Sequence, residues 1–185
     1  MGSGRPICKD DVGGPILVAL GANLPSPIYG PPRAVLEAAL HAMEAAGLEI
    51  RARSGWWESP PMPPSDQPWY VNGVALVRTQ QGPAELLATL HAIEARFGRV
   101  RSKDTVNAAR PLDLDLIDYD GLVREAAPPI LPHPRLEARA FVLRPLAEIA
   151  PDWRHPKSGR SVKDLADALP PDAVADPLPQ GPDRA

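Results

Sequence analysis

LEIRARSGWWESPPMPPSDQPWYVNGVALVRT, residues 48–79, holds two strand patterns in direct succession, and that order decides the fold. In the first, Leu48, Ile50, Ala52 and Ser54 alternate with Glu49, Arg51 and Arg53, the period of a half-exposed strand. A stiff loop, Glu58 to Pro68, follows, its prolines fixing φ and removing backbone donors. Tyr70 to Thr79 is the second strand. Upstream, the apolar run Ile16 to Leu20 reads as a buried strand that Gly21-Ala22-Asn23 ends. Between them, Val35, Leu36, Ala39, Leu40 and Met43 make a helical stripe over Arg33 to Ala46, with Gly47 at C′.

Downstream, Gly82-Pro83 opens a second helix, proline suiting a first turn. Leu86, Leu87, Leu90, Ile93, Glu94 and Phe97 share its broad face, on or beside which Glu94 is the unusual member, and Gly98 ends it. Pro111 to Tyr119 reads as a strand and Asp120-Gly121 as a tight turn opening a further hairpin. Pro128 to Pro134 is a second proline-rich loop, and Leu136 to Ile149 carries a helical pattern closed by Pro151. Ser161 to Leu169 is a short last helix, capped by Ser161 with Asp164 three residues on. The order strand, helix, strand, strand, helix, strand predicts an α+β fold: a ferredoxin-like α/β sandwich with a mostly antiparallel sheet and helices packed on it. Residues 1–14 read as a disordered extension, 15–169 as a single domain and 170–185 as a flexible proline-rich tail.

Composition narrows the function classes. Of 185 residues, 20 are Lys or Arg and 23 Asp or Glu, a net charge of −3, which argues against a general nucleic-acid coat. The one cysteine, Cys8, excludes a disulfide framework and a cysteine-rich zinc site and fits the cytoplasm. No stretch reads as a membrane span or a signal peptide.

The chemistry concentrates in Leu112-Asp113-Leu114-Asp115-Leu116. On a strand, Asp113 and Asp115 point one way and the leucines point into the core. Side by side, the carboxylates repel and one pKa rises unless a cation sits between them. Two hard oxygen ligands suit Mg²⁺ shared with substrate phosphates; a solvent-facing acidic strand has the same pattern. Arg99, Arg101, Lys103 and Arg110 precede the pair, and guanidinium forks suit polyphosphate. There is no GxxxxGK[ST] loop and no GxGxxG turn, so a nucleotide here is bound by neither. His133 lies between two prolines, either touching a ligand or capping a helix. Tyr70 and Asn72 share a strand face, where an aromatic and an amide suit a flat heteroaromatic ligand or simply a core rim.

Five ordered motifs, VALGANL (18–24), ESPPM…DQPWYVN (58–72), IEARFGRVR (93–101), RPLDLDLIDYDG (110–121) and LPHPRLEARAFVLRPLAEIAPDW (131–153), make the chain resemble the 6-hydroxymethyl-7,8-dihydropterin pyrophosphokinases of folate biosynthesis. The resemblance implies attack of the pterin hydroxymethyl oxygen on the β-phosphorus of ATP, giving pterin diphosphate and AMP. It implies two Mg²⁺ ions on Asp113 and Asp115, and catalytic roles for Arg99 and Arg110. Glu94, Arg101, Leu116, His133 and Arg139 match the ATP-contacting set. Tyr70 and Phe141 match the aromatics that sandwich the pterin, Asn72 the amide at its edge, and Ser59 and Met62 the pocket lining. The partners implied are these two small molecules, with no nucleic acid and no membrane, and the protein is expected to be a monomer. Where the family often has Trp-Gly-Pro-Arg, this chain has Asn107-Ala108-Ala109-Arg110, which implies an altered loop or KM rather than lost chemistry. A sugar transferase using Asp-x-Asp leaves His133 and the aromatic pair unexplained, and a non-catalytic ferredoxin-like module predicts no response to Mg²⁺ and ATP.

Overall fold

The structure is a computed structural model that describes residues 14–99 and 109–179; the expected N-terminal extension up to residue 13, the 100–108 part of the basic loop and residues 180–185 lie outside them. Within the described residues the order is β1 (Ile16–Ala22), α1 (Pro32–Ala45), β2 (Glu49–Arg53), β3 (Trp57–Ser59), β4 (Tyr70–Arg78), α2 (Pro83–Arg96), β5 (Asp113–Tyr119), a 3-10 turn (Leu136–Ala138), α3 (Ala140–Ile149), α4 (Val162–Asp167) and β6 (Asp176–Pro177). The sheet runs β5-β1-β4-β3-β6, with β2 also paired to β4. Each of these pairings is antiparallel.

β1 lies between β4 and β5 and is buried along its whole length. Alternation divides its side chains between two cores. Val18, Leu20 and Ala22 join Leu36 and Met43 of α1, Leu86 and Leu90 of α2, and Leu114 and Leu116 of β5. Leu17 and Ala19 join Val74, Ile117, Val142, Leu143 and Leu146, with Val162 and Leu165 of α4. The architecture is therefore helices, sheet, helices. Proline in the first turn opens α1 and α2, and Gly47 and Gly98 follow them at φ of 85° and 87°, where a side chain would be strained. Ser161 and Asp164 form the expected reciprocal cap of α4.

Three features depart from the sequence reading. Trp57–Ser59 is a strand that overlaps the start of what reads as a loop, because β4 offers it ladder partners. The helical pattern from Leu136 breaks at Arg139, which is extended at φ −109° and ψ 93°. A 3-10 turn keeps apolar residues near helical spacing, so the break leaves no mark in the pattern. Within the segment read as a tail, residues 173–178 make contacts with the domain. Asp176 and Pro177 pair with β3. The Arg144 guanidinium donates to the carbonyls of Ala175 at 2.6 Å and Ala173 at 3.2 Å, and Leu178 N donates to Trp56 O at 2.8 Å.

A bulge in β5 explains a buried charge. Val18 faces Leu116 but Leu17 faces Asp118, so Ile117 is the extra residue. Ile117 joins the α3/α4 core, and Asp118 accepts from Trp153 Nε1 at 2.8 Å and from Gly121 N at 3.1 Å. A bulge puts two successive side chains on one side, which straight alternation forbids. Burial raises the Asp118 pKa, and the hydrogen bonds from Trp153 and Gly121 offset part of that rise.

Gly73 faces the other core, where an added Cβ would stand 2.7 Å from the Trp56 ring. Gly73→Ala is expected to cost about 1–3 kcal/mol by overpacking, read from the urea unfolding midpoint at unchanged slope.

Candidate active site

One sheet face is covered at one end only. α3 and α4 pack over Leu17, Val74 and Ile117, and beyond them the same face continues into a cavity of about 560 Å³. Register sets its floor: Gly21 stands between Asn72 on β4 and Asp113 on β5, and Ala19 between Val74 and Asp115. A Cβ on Gly21 would lie 3.2 Å from Asn72 Oδ1, so glycine keeps the floor low between the amide and the carboxylate.

The walls come from five other segments. Ser59 ends β3 and Pro60, Pro61, Met62 and Pro63 follow it, Tyr70 opens β4, Arg99 follows α2, Arg110 precedes β5, and Arg135, Ala138, Arg139 and Phe141 surround the break before α3. Asn72 Nδ2 donates to Ser59 Oγ at 3.0 Å, which fixes the orientation of the amide. The Arg139 guanidinium lies 5.5 Å from the centroid of the Phe141 ring, a cation over a π face. Burial raises the Tyr70 pKa, with Arg110 acting against it and Asp113 with it, and the phenol stays protonated at neutral pH.

The two carboxylates are neutralised from different directions. Arg110 Nη1 donates to Asp113 Oδ2 at 2.9 Å, and Arg99 donates to Asp113 Oδ1 and to Glu94. Arg139 Nη1 donates to Asp115 Oδ2 at 2.7 Å. His133 Nε2 stands 3.8 Å from the same oxygen, beyond hydrogen-bond length. His133 Nδ1 accepts from Arg135 N at 3.2 Å, which leaves the proton of the neutral ring on Nε2. Burial lowers the His133 pKa, against the pull of Asp115 and with that of Arg139 and Arg135. Burial acts to raise the Asp115 pKa, but Arg139 and His133 outweigh it and hold the carboxyl below its ordinary value. Cations therefore meet the mutual repulsion expected of the pair. For Arg99, burial disfavours the charge, and Asp113 and Glu94 more than restore it.

Of the residues singled out in the sequence, Arg99, Arg110, Asp113, Asp115, Arg139, Ser59, Met62, Tyr70, Asn72 and Phe141 line the cavity together. Three others do not line it. Leu116 is on the opposite face, buried with the α1/α2 core, because alternation sends it away from Asp115. Glu94 is fully buried and accepts from Leu114 N at 2.8 Å and from Arg99, so it sits behind the guanidinium instead of facing a nucleotide. His133 stands behind Asp115. Arg101, Lys103 and the Asn107-Ala108 departure lie outside the described residues. Sequence reasoning missed Arg135, which lines the cavity, and Asn23, buried beside it with bonds to both Arg110 and Pro68. The signal for Asn23 was a polar residue directly after an apolar strand.

The donor set fits Mg²⁺. Among the described residues no three His, Cys, Asp or Glu side chains gather as metal ligands, so two carboxylates leave most of the coordination shell to phosphate oxygens and water, which is how Mg²⁺ is commonly held.

The lowered Asp115 pKa has a stability consequence. The folded protein holds that proton less tightly than the unfolded chain, whose value is about 3.9. The stabilisation is present above that value and is lost as pH falls through the folded one. The urea midpoint of the wild type relative to Asp115→Asn is therefore expected to decline as pH is lowered from about 5 to about 2.

The chain matches the family model of 7,8-dihydro-6-hydroxymethylpterin-pyrophosphokinase (HPPK) over residues 17–151. It is 42% identical over 153 residues to a Synechocystis protein named 2-amino-4-hydroxy-6-hydroxymethyldihydropteridine pyrophosphokinase, covering 83% of this chain and 75% of that one. A Pseudomonas aeruginosa protein of the same name is 42% identical over 156 residues, covering 84% and 91%. The fold matches the crystal structure of wild-type Plasmodium falciparum HPPK-DHPS with a TM-score of 0.61 at 13% identity, covering 86% of this chain and 45% of that longer one. The chain belongs to the 7,8-dihydro-6-hydroxymethylpterin-pyrophosphokinase family.

Proposed function

We propose that this protein transfers the pyrophosphoryl group of ATP to 6-hydroxymethyl-7,8-dihydropterin in folate synthesis. The observation that carries the reading is one cavity lined by two strand carboxylates, three guanidinium groups, an amide and two aromatic rings. The charged groups have the chemistry for a polyphosphate, and the amide and rings that for a flat heterocycle.

The pterin hydroxymethyl oxygen forms a bond to the β-phosphorus. The bond from that phosphorus to the α–β bridging oxygen breaks and its electron pair leaves on AMP. The hydroxyl proton passes to water, and positioning with charge neutralisation carries the rate. Asp113 and Asp115 would hold Mg²⁺, two ions in this proposal, which would supply neutralisation of the oxygen charge that grows during transfer. Arg99, Arg110 and Arg139 are paired to the carboxylates in the free protein and turn to phosphate oxygens when ATP binds. Tyr70 and Phe141 flank the pterin, and Asn72, oriented by Ser59, reads its edge. Glu94 supports Arg99 from behind. The protein works in the cytoplasm as a monomer; the support for that compartment is the lone Cys8, and no described helix is long and apolar enough to cross a membrane.

AMP formation should require ATP, Mg²⁺ and the pterin together and should vanish in Asp115→Ala, whose circular dichroism stays that of the wild type. Arg110→Ala should lower kcat by about 10²-fold or more while KM for ATP changes less. AMP released without pterin, or full activity in Asp115→Ala, counts against the assignment.

A further inference from the structure

We propose that Asn23 is a positioning residue that fastens Arg110 to the segment carrying Pro68 and Tyr70, so that two walls of the cavity, one bearing a guanidinium and one an aromatic ring, are set by one carboxamide. The inference rests on the transfer reaction proposed above.

Asn23 directly follows β1 and is 1% exposed. Its Oδ1 accepts from Arg110 N at 2.9 Å, and its own N donates to Arg110 O at 3.2 Å. The backbone of Arg110 is therefore held at two points while its guanidinium reaches Asp113. From the other side of the carboxamide, Nδ2 donates to Pro68 O at 3.1 Å and to Gln67 Oε1 at 3.3 Å. Two residues later Tyr70 opens β4 and lines the cavity.

A primary carboxamide is suited to this place. It presents an acceptor on one side and two donors on the other, whereas aspartate has no donor and an apolar residue has neither. Asn23 does not line the cavity, so it acts through Arg110 and the Pro68 segment instead of touching substrate. Reacting groups lose rate steeply when displaced by about 1 Å, and the effect of a residue that acts through another is non-additive with it.

The test compares wild type, Asn23→Ala, Asn23→Asp, Arg110→Ala and the Asn23→Ala/Arg110→Ala double variant. Asn23→Ala is expected to lower kcat about 10- to 100-fold with KM for ATP within about threefold. The double variant should be no slower than Arg110→Ala alone. Asn23→Asp keeps the acceptor for Arg110 N and loses the donor to Pro68, so it should mainly raise KM for the pterin. Wild-type kcat in Asn23→Ala, or losses that multiply in the double variant, would overturn the inference. Amide hydrogen exchange at Arg110 gives a readout free of activity. Exchange should accelerate at least about tenfold in Asn23→Ala and stay protected in Asn23→Asp. Equal protection in wild type and Asn23→Ala overturns the proposal, and so does protection lost in Asn23→Asp, the variant that decides if Asn23→Ala does not fold. If the wild type makes no AMP, the reaction fails and the exchange result still judges Asn23.

Discussion

Two carboxylates on the same face of one strand, a single pleat apart, set the terms for the rest of this molecule. Asp113 and Asp115 repel in a partly buried setting, and the fold answers with a guanidinium from each of three separate places: Arg99 after α2, Arg110 before β5 and Arg139 before α3. Each arm needs its own support. Glu94 lies behind Arg99, Asn23 grips the backbone of Arg110, and the helical run breaks at Arg139 so that its side chain reaches the strand. These cations make the Asp pair tolerable in the free protein, and they are also the groups that would face a polyphosphate.

The sheet makes room for this cluster by being covered unevenly. α1 and α2 bury one face beneath a broad apolar core. α3 and α4 cover part of the other, and the cavity occupies the remainder. The same alternation that sends Leu114 and Leu116 inward sends Asp113 and Asp115 toward the open end. Farther along β5, the bulge at Ile117 turns Asp118 under the helices, where Trp153 and Gly121 take up its oxygens. Three aspartates of one strand thus have two different fates, and the change in register separates them.

Much of this was legible in order and pattern. The βαββαβ succession, the alternation around residues 48–54 and 112–116 and the α4 capping box are local signals, because each depends on residues within a few positions of one another. Tyr70 and Asn72 were placed on one strand face by the same logic. The motifs were recognisable together because their order along the chain repeats that of a known family. The β3 strand and its pairing with β6 were not legible. Each strand borrows its ladder from a distant partner, Tyr70–Asn72 in one case and Trp57–Glu58 in the other. Such pairing leaves no periodicity in three residues, or in two.

The sequence by itself determined the fold class, the acidic row of β5 and the residue types at the cavity, since these follow from local periodicity and motif order. Only the tertiary structure decided that Leu116 belongs to the core, that Glu94 and His133 stand behind their neighbours, and that Asn23 joins two walls of one cavity. The physical reason is sequence separation. Asn23 lies 87 residues from Arg110 and 45 from Pro68. A hydrogen bond across such distances depends on the sheet register that brings β1, β4 and β5 side by side, and no local preference encodes that.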